Sequence, residues 1–267
     1  MSTNNISPDD LRSVKKSNTI ASLFHFFQGT LIMIFAYTLT RLVEYEGPRV
    51  FSNFLKFDEE TGESGALVNE TKELFTVPFI QLVAGFLLLT AFFHFLVSTI
   101  FNVKYSNDLK KGINAFRWIE YSITSTIMIA LIALLFGVND IGALVLLMSL
   151  NVVMNLNGLV MERANRNSEK TDWTSFITGS IAGLAVWVVL FMFAFGNSDW
   201  SEIPNFVYAI TASYFIFFNL FPVNMFLQYK KVGKWKDYIF GEKMYILLSF
   251  FSKTILAWIV FAGILQP

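Results

Sequence analysis

Lys253 stands in the middle of MYILLSFFSKTILAWIVFAGIL, residues Met244 to Leu265, with no other charged residue in that run. A lysine at the centre of a membrane-length apolar segment costs roughly 2.5 to 3.5 kcal/mol on insertion scales, so it calls for a partner and a purpose. The other ionisable side chains that lie well inside apolar runs are His25, His94 and Glu120. Polar residues share their helical faces: Ser249 is four residues before Lys253, and Thr124 is four after Glu120. Thr90 and Ser98 flank His94, while Ser22 and Gln28 flank His25. An amine beside a carboxylate can condense with a carbonyl compound and have the resulting cation balanced by the acid. The same two groups could also serve only as a packing pair between helices.

Seven apolar segments must position these groups. The chain has 267 residues, of which 54% are hydrophobic and 15% charged, with a mean hydropathy of +0.53. That composition describes an integral membrane protein. Thirty Phe and no Cys exclude disulfides and thiolate metal sites, and zero formal net charge names no acidic or basic partner. The spans run approximately 18–40, 77–102, 114–136, 141–160, 174–195, 205–228 and 244–265, and they predict helices within one domain covering 1–267. Lys15 and Lys16 precede the first span, but no small-residue cleavage site follows, so it is expected to remain a transmembrane helix. The loop 41–76 carries Gly47-Pro48, RVFSNFLKF, an acidic DEETGESG centre and ALVNE, a pattern that permits a short β-hairpin. Asn69-Glu70-Thr71 within it matches the short glycosylation acceptor pattern.

Basic residues fall on one side of these spans. The N-terminal tail and the second, fourth and sixth connections hold Arg12, Lys104, Arg163, Lys230 and their neighbours, whereas the other side has only Arg41, Arg49, Lys56 and Lys72. The positive-inside rule therefore predicts a cytoplasmic N-terminus and an extracellular C-terminus. At about 1.5 Å rise per residue, His25, Glu120, Lys253 and His94 come roughly 10, 9, 13 and 12 Å from the inner boundary, which predicts a single polar layer. A lysine, a carboxylate and an aromatic pocket are what a retinal-type aldehyde requires. Trp187, Phe215, Phe217, Phe218 and Trp258 are candidates for such a pocket.

FRWIEYSITSTIMIALI (Phe116 to Ile132) and GKWKDYIFGEKMYILLSFFSKTILAW (Gly233 to Trp258) resemble the third and seventh helices of heliorhodopsins. The likeness extends from Asn18 through SLFHFFQ and AFFHFLVS to the C-terminus. It implies a seven-helix retinal protein inserted with its N-terminus inside, the orientation that the charge count gives independently. It further implies all-trans retinal on Lys253 through a Schiff base, Glu120 as counterion and Ser249 hydrogen-bonded nearby. By the same resemblance Tyr121, Met154 and Phe218 take pocket positions. His25, His94 and Thr90, with Asn18 and Asn114 near them, correspond to an inner polar cluster that accepts a proton. Thr90 stands where a relative has Ser, and Ile177 where a pocket Trp is expected. A homodimer involving the first outer loop is implied as well.

Ordinary microbial rhodopsins usually carry D-x-x-x-K on the last helix, where this chain has Ser249-Phe-Phe-Ser-Lys253. Leu131 occupies the place of an outward pump's acidic proton donor. The missing second acid argues against pumping. The expectation is a membrane photoreceptor acting through a cytoplasmic signalling partner, and not an enzyme. The rival is a light-gated proton channel, to which Asn151, Asn155, Asn157, Asn219 and Asn224 could contribute. Nothing points to nucleic acid, and two histidines on different helices make a weak metal case.

Overall fold

A computed structural model describes residues 6–57, 67–196 and 205–265. The acidic DEETGESG centre of the first loop lies outside the described residues. Seven helices are long and apolar enough to cross a membrane: α1 (Pro8–Thr38), α3 (Phe79–Ser98), α5 (Ala115–Leu135), α6 (Ile141–Asn165), α7 (Thr174–Phe195), α8 (Asn205–Tyr229) and α9 (Tyr238–Leu265). Their apolar outer faces bear Phe24, Phe27, Leu184 and Phe251, all exposed, as helices surrounded by hydrocarbon require.

The differences from the sequence expectation are local: α3 ends at Ser98 and not at 102, and α6 runs on to Asn165 and not to 160. α1 begins at Pro8 and not near Asn18, because Ser7 and Asp10 form a reciprocal capping box and Pro8 occupies the first turn. α9 begins at Tyr238 and not at Met244, directly after a 3-10 turn at Gly233–Lys236. Two short helices sit in connections: α2 (Thr40–Val43) and α4 (Asn102–Lys110). α4 buries Tyr105 and Leu109 against Val14, Val97 and Ile239, closing the end of the bundle at which α1 starts. This is the amino-terminal end of the bundle.

The hairpin is present at the opposite end. β1 (Arg49–Phe57) pairs antiparallel with β2 (Leu67–Thr76), and a register shift falls between Val50 and Phe51. Past this bulge the hairpin docks on the turn between α5 and α6. Phe51 N donates to Asn139 O at 2.8 Å, and Asn53 Nδ2 donates to Asp140 Oδ2 at 2.9 Å. Asp140 also caps α6 through Ala143 N at 2.9 Å.

Around the bundle α1 packs on α3 and α9, α3 on α5, α5 on α6, α6 on α7, and α8 on α9. Aromatic side chains bridge α7 and α8, with Trp187 edge-on to Phe215 at 5.2 Å, and a cavity lies behind these rings. Pro222 inside α8 lines the same space; lacking an N–H, it leaves the Phe218 carbonyl without its helical donor.

Candidate functional site

Lys253, on α9, is 2% exposed, and Glu120, on α5, is 5% exposed. Lys253 Nζ donates to Glu120 Oε1 in an ion pair that ties the two helices together. The same oxygen accepts from Thr124 Oγ1 at 2.7 Å and from Thr90 Oγ1 at 3.3 Å. Thr124 is placed by the one-turn spacing on α5, whereas Thr90 reaches across from α3. Three donors on one oxygen compensate the cost of burying a carboxylate. The lysine also faces the ring of Tyr121, 5.3 Å from its centroid.

Near the carboxylate lie the imidazoles, His94 lining the same small cavity as Glu120. His25 is fully buried and stacks on His94 with ring centroids 6.2 Å apart. His94 Nδ1 is 2.7 Å from Asn18 Oδ1. Neither nitrogen of His25, nor His94 Nε2, nor Ser249 Oγ has a hydrogen-bonding partner among the described residues. Lys253, Glu120, Thr90, His25, His94 and Asn18 thus come together in one buried layer. Asn114 does not join it directly. Its amide donates to Glu242 at 2.8 Å and its backbone N–H to Glu162 at 2.7 Å.

On the other side of Lys253 a cavity of about 540 Å³ extends between α5, α6, α7 and α8. This falls within the ~300–1,000 Å³ range of small-molecule cofactor sites. Tyr121, Met154, Trp187, Phe215 and Phe218 are among its walls, and Lys253 and Ser252 of α9 line it as well. Three glycines on the α6 and α7 walls keep it open. At Gly158 a methyl group would lie 2.3 Å from the Trp118 ring, and at Gly183 one would lie 2.6 Å from the Met154 sulfur.

Two pocket expectations need correction. Phe217 lines a separate small cavity beside Tyr214, and Trp258 Nε1 is committed to Gln28 Oε1 at 2.7 Å. Ile177 is 55% exposed and takes no part in the wall. The preceding residue, Phe176, faces the cavity, because one residue on a helix turns the side chain by about 100°.

Comparison with known families decides what this arrangement belongs to: the heliorhodopsin family model matches residues 14–265. The chain belongs to the heliorhodopsin family. A comparison with curated proteins found no match. Membership makes this an integral, multi-pass, retinal-binding rhodopsin-like protein. The residues present fit that chromophore in kind. An aromatic cavity of sufficient size is lined by a buried primary amine, the amine is held by a carboxylate, and Ser249 stands one turn away on the same helix.

Reading the sequence missed a second buried charge cluster in this heliorhodopsin family member. Arg117 pairs with Glu162 of α6 and Glu242 of α9, and all three are buried. The spans read from hydropathy stop at 160 and restart at 244, so both acids fell just outside the helices that carry them. The capping signal at Ser7 shows that polar residues extend these helices, and Glu242 sits eleven residues before Lys253, on nearly the same face.

Proposed function

We propose that this protein is a light sensor whose chromophore is attached at Lys253, with Glu120 as the single counterion and an inward-facing polar cluster that takes up a proton. The position of Lys253 carries this reading: one buried amine belongs both to the lining of the large cavity and to the ion pair with Glu120. Retinal, joined through its aldehyde to that amine, supplies light absorption and an all-trans to 13-cis isomerisation. The protein supplies the rest. Tyr121, Met154 and Phe218 shape the cavity, and Glu120 holds the positive charge at the lysine nitrogen with Thr90 and Thr124 fixing its oxygen. Ser249 Oγ serves that nitrogen when the pair is disturbed.

A shift of Lys253 away from Glu120 weakens the ion pair and favours loss of the Nζ proton. His94 and His25 lie at that exit, with Thr90 and Asn18 beside them. Leu131 provides no acid farther along α5, which supports a proton that stays inside the protein and argues against pumping. The Lys- and Arg-rich connections favour a cytoplasmic N-terminus and an extracellular C-terminus, so the uptake cluster faces the cytoplasm and a signalling partner there. Phe54, Leu55, Phe57, Leu67 and Phe75 are exposed on the hairpin, which supports a homodimer contact at the outer end.

The channel alternative has weaker support. Asn151 Nδ2 is engaged by Ser125 and Thr126, Asn155 Nδ2 by Ser125 and its own helix, and Asn224 by Gly241 and Trp235. Amides satisfied in this way bridge helices. Flash spectroscopy of the retinal-loaded protein, paired with voltage-clamp recording under illumination, tests the proposal. It predicts a blue-shifted, deprotonated state without steady photocurrent; a sustained proton current would establish the channel instead.

A further inference from the structure

Arg117 lies between two carboxylates contributed by different helices. Its Nη2 donates to Glu162 and its Nη1 to Glu242, and the three residues are 7%, 3% and 1% exposed. Its guanidinium also sits 3.8 Å from the centroid of the Tyr245 ring. With both acids ionised, one guanidinium against two carboxylates carries one unbalanced buried negative charge. Uptake of a single proton relieves it, since what remains is a one-to-one ion pair beside a neutral acid.

This cluster is connected to the Lys253 site. A cavity of about 40 Å³ is lined both by Glu120 and His94 and by Asn114, Arg117 and Glu242. Such a space exceeds the ~10–15 Å³ that a water molecule needs. Two buried polar atoms of its wall residues, His94 Nε2 and Tyr245 Oη, have no hydrogen-bonding partner among the described residues, and both residues are at least nine-tenths buried. Bonded water satisfies such atoms. Titratable groups face the cluster from the remaining elements too: Tyr105 of α4, Tyr229 of α8, and Tyr238 of α9.

We infer that the Arg117–Glu162–Glu242 cluster stores the proton that leaves Lys253 after illumination, reached through His94 Nε2 and water in the small cavity. The inference rests on the preceding reading that Lys253 gives its proton toward the amino-terminal end. The N–H bond at Lys253 Nζ breaks, an O–H bond forms on Glu162 or Glu242, and Glu120 remains a carboxylate. No electrons are exchanged. The cluster moves from one net negative charge to none, and the whole buried network keeps its total charge.

Light-minus-dark infrared difference spectroscopy of the full-length, retinal-loaded protein tests this, with visible absorption followed on the same sample. The wild type is expected to gain a carboxylic-acid C=O band together with the blue-shifted state. Glu242→Gln or Glu162→Gln should abolish that band, while the corresponding Asp variant shifts it. The dark pigment colour of each variant reports that it folds and binds retinal. A blue-shifted state whose acid band is unchanged in both Gln variants overturns this proposal alone. Absence of any blue-shifted state in the wild type overturns it together with the reading on which it rests.

Discussion

His94 donates from Nδ1 to Asn18 Oδ1 across 2.7 Å, and the orientation of the asparagine amide fixes this direction. Asn18 Nδ2 is committed to the Val14 carbonyl at 3.0 Å, which leaves only its oxygen facing the ring. A neutral His94 therefore keeps its lone pair on Nε2, buried and without a partner beside Glu120. Asn18 is a positioning residue: it selects the tautomer that can receive a proton.

Replacing Asn18 with Leu frees that choice. Light-driven loss of the Lys253 proton should slow by about 10-fold, because a general base held in the wrong tautomer forfeits part of its contribution. Asn18→Asp, which retains the accepting oxygen, should restore the rate. Time-resolved absorption in the visible and near-ultraviolet reads both variants, and an unchanged rate in Asn18→Leu would remove His94 from the path.

Gly158 lets the Trp118 ring approach the α6 backbone. An added methyl would meet the ring at 2.3 Å, so Gly158→Ala is expected to destabilise by ~1–3 kcal/mol as an overpacked core does. It should also push Trp118 into the cavity and lower pigment yield. Thermal unfolding and reconstitution with retinal measure the two effects. Shrinking the ring in the double variant with Trp118→Leu should recover part of each.

Asp140 gives the hairpin a dependence on acid. Hydrogen bonds from the Ala143 backbone N–H and then from Asn53 hold its carboxyl below the usual carboxylate range. A lowered folded value means that the stabilisation is fully present above the ordinary value of ~3.9 and is lost as pH falls through the folded one. Proteolytic cleavage of the hairpin should accelerate below about pH 4 in the wild type. Asp140→Asn should show a flatter pH profile, and an equally steep acid limb would assign the effect elsewhere.

Glu120→Gln removes the carboxylate that, among the described residues, pairs with Lys253. With the cation less confined to the lysine nitrogen, the absorption maximum of the pigment should shift to the red. An absorption spectrum of the reconstituted variant checks this, and an unmoved maximum would deny Glu120 the role of counterion.

Much of the architecture was legible because the signals are long. Seven runs of about 20 apolar residues survive small errors of boundary, and the two strands of the hairpin carry their own flanking turns. Lys253 and Glu120 were legible as a candidate pair because each is isolated in hydrocarbon-like sequence. Glu162 and Glu242 were not, since both occur within two residues of a hydropathy boundary and look solvated from sequence alone. Only the tertiary approach of α5, α6 and α9 around Arg117 shows them to be buried. Ile177, read at a position where a pocket Trp is expected, is exposed while its neighbour Phe176 lines the cavity, a distinction of one 100° helical step that hydropathy does not mark. α4 went unread because its Asn, Lys and Asp residues mask the buried pair Tyr105 and Leu109.

The attachment at Lys253 is tested most directly by reconstitution with all-trans retinal. The wild-type protein should form a visible pigment that hydroxylamine bleaches, whereas Lys253→Ala, shown to be folded by circular dichroism, should remain colourless. A pigment of the same colour and hydroxylamine sensitivity in Lys253→Ala would contradict the account.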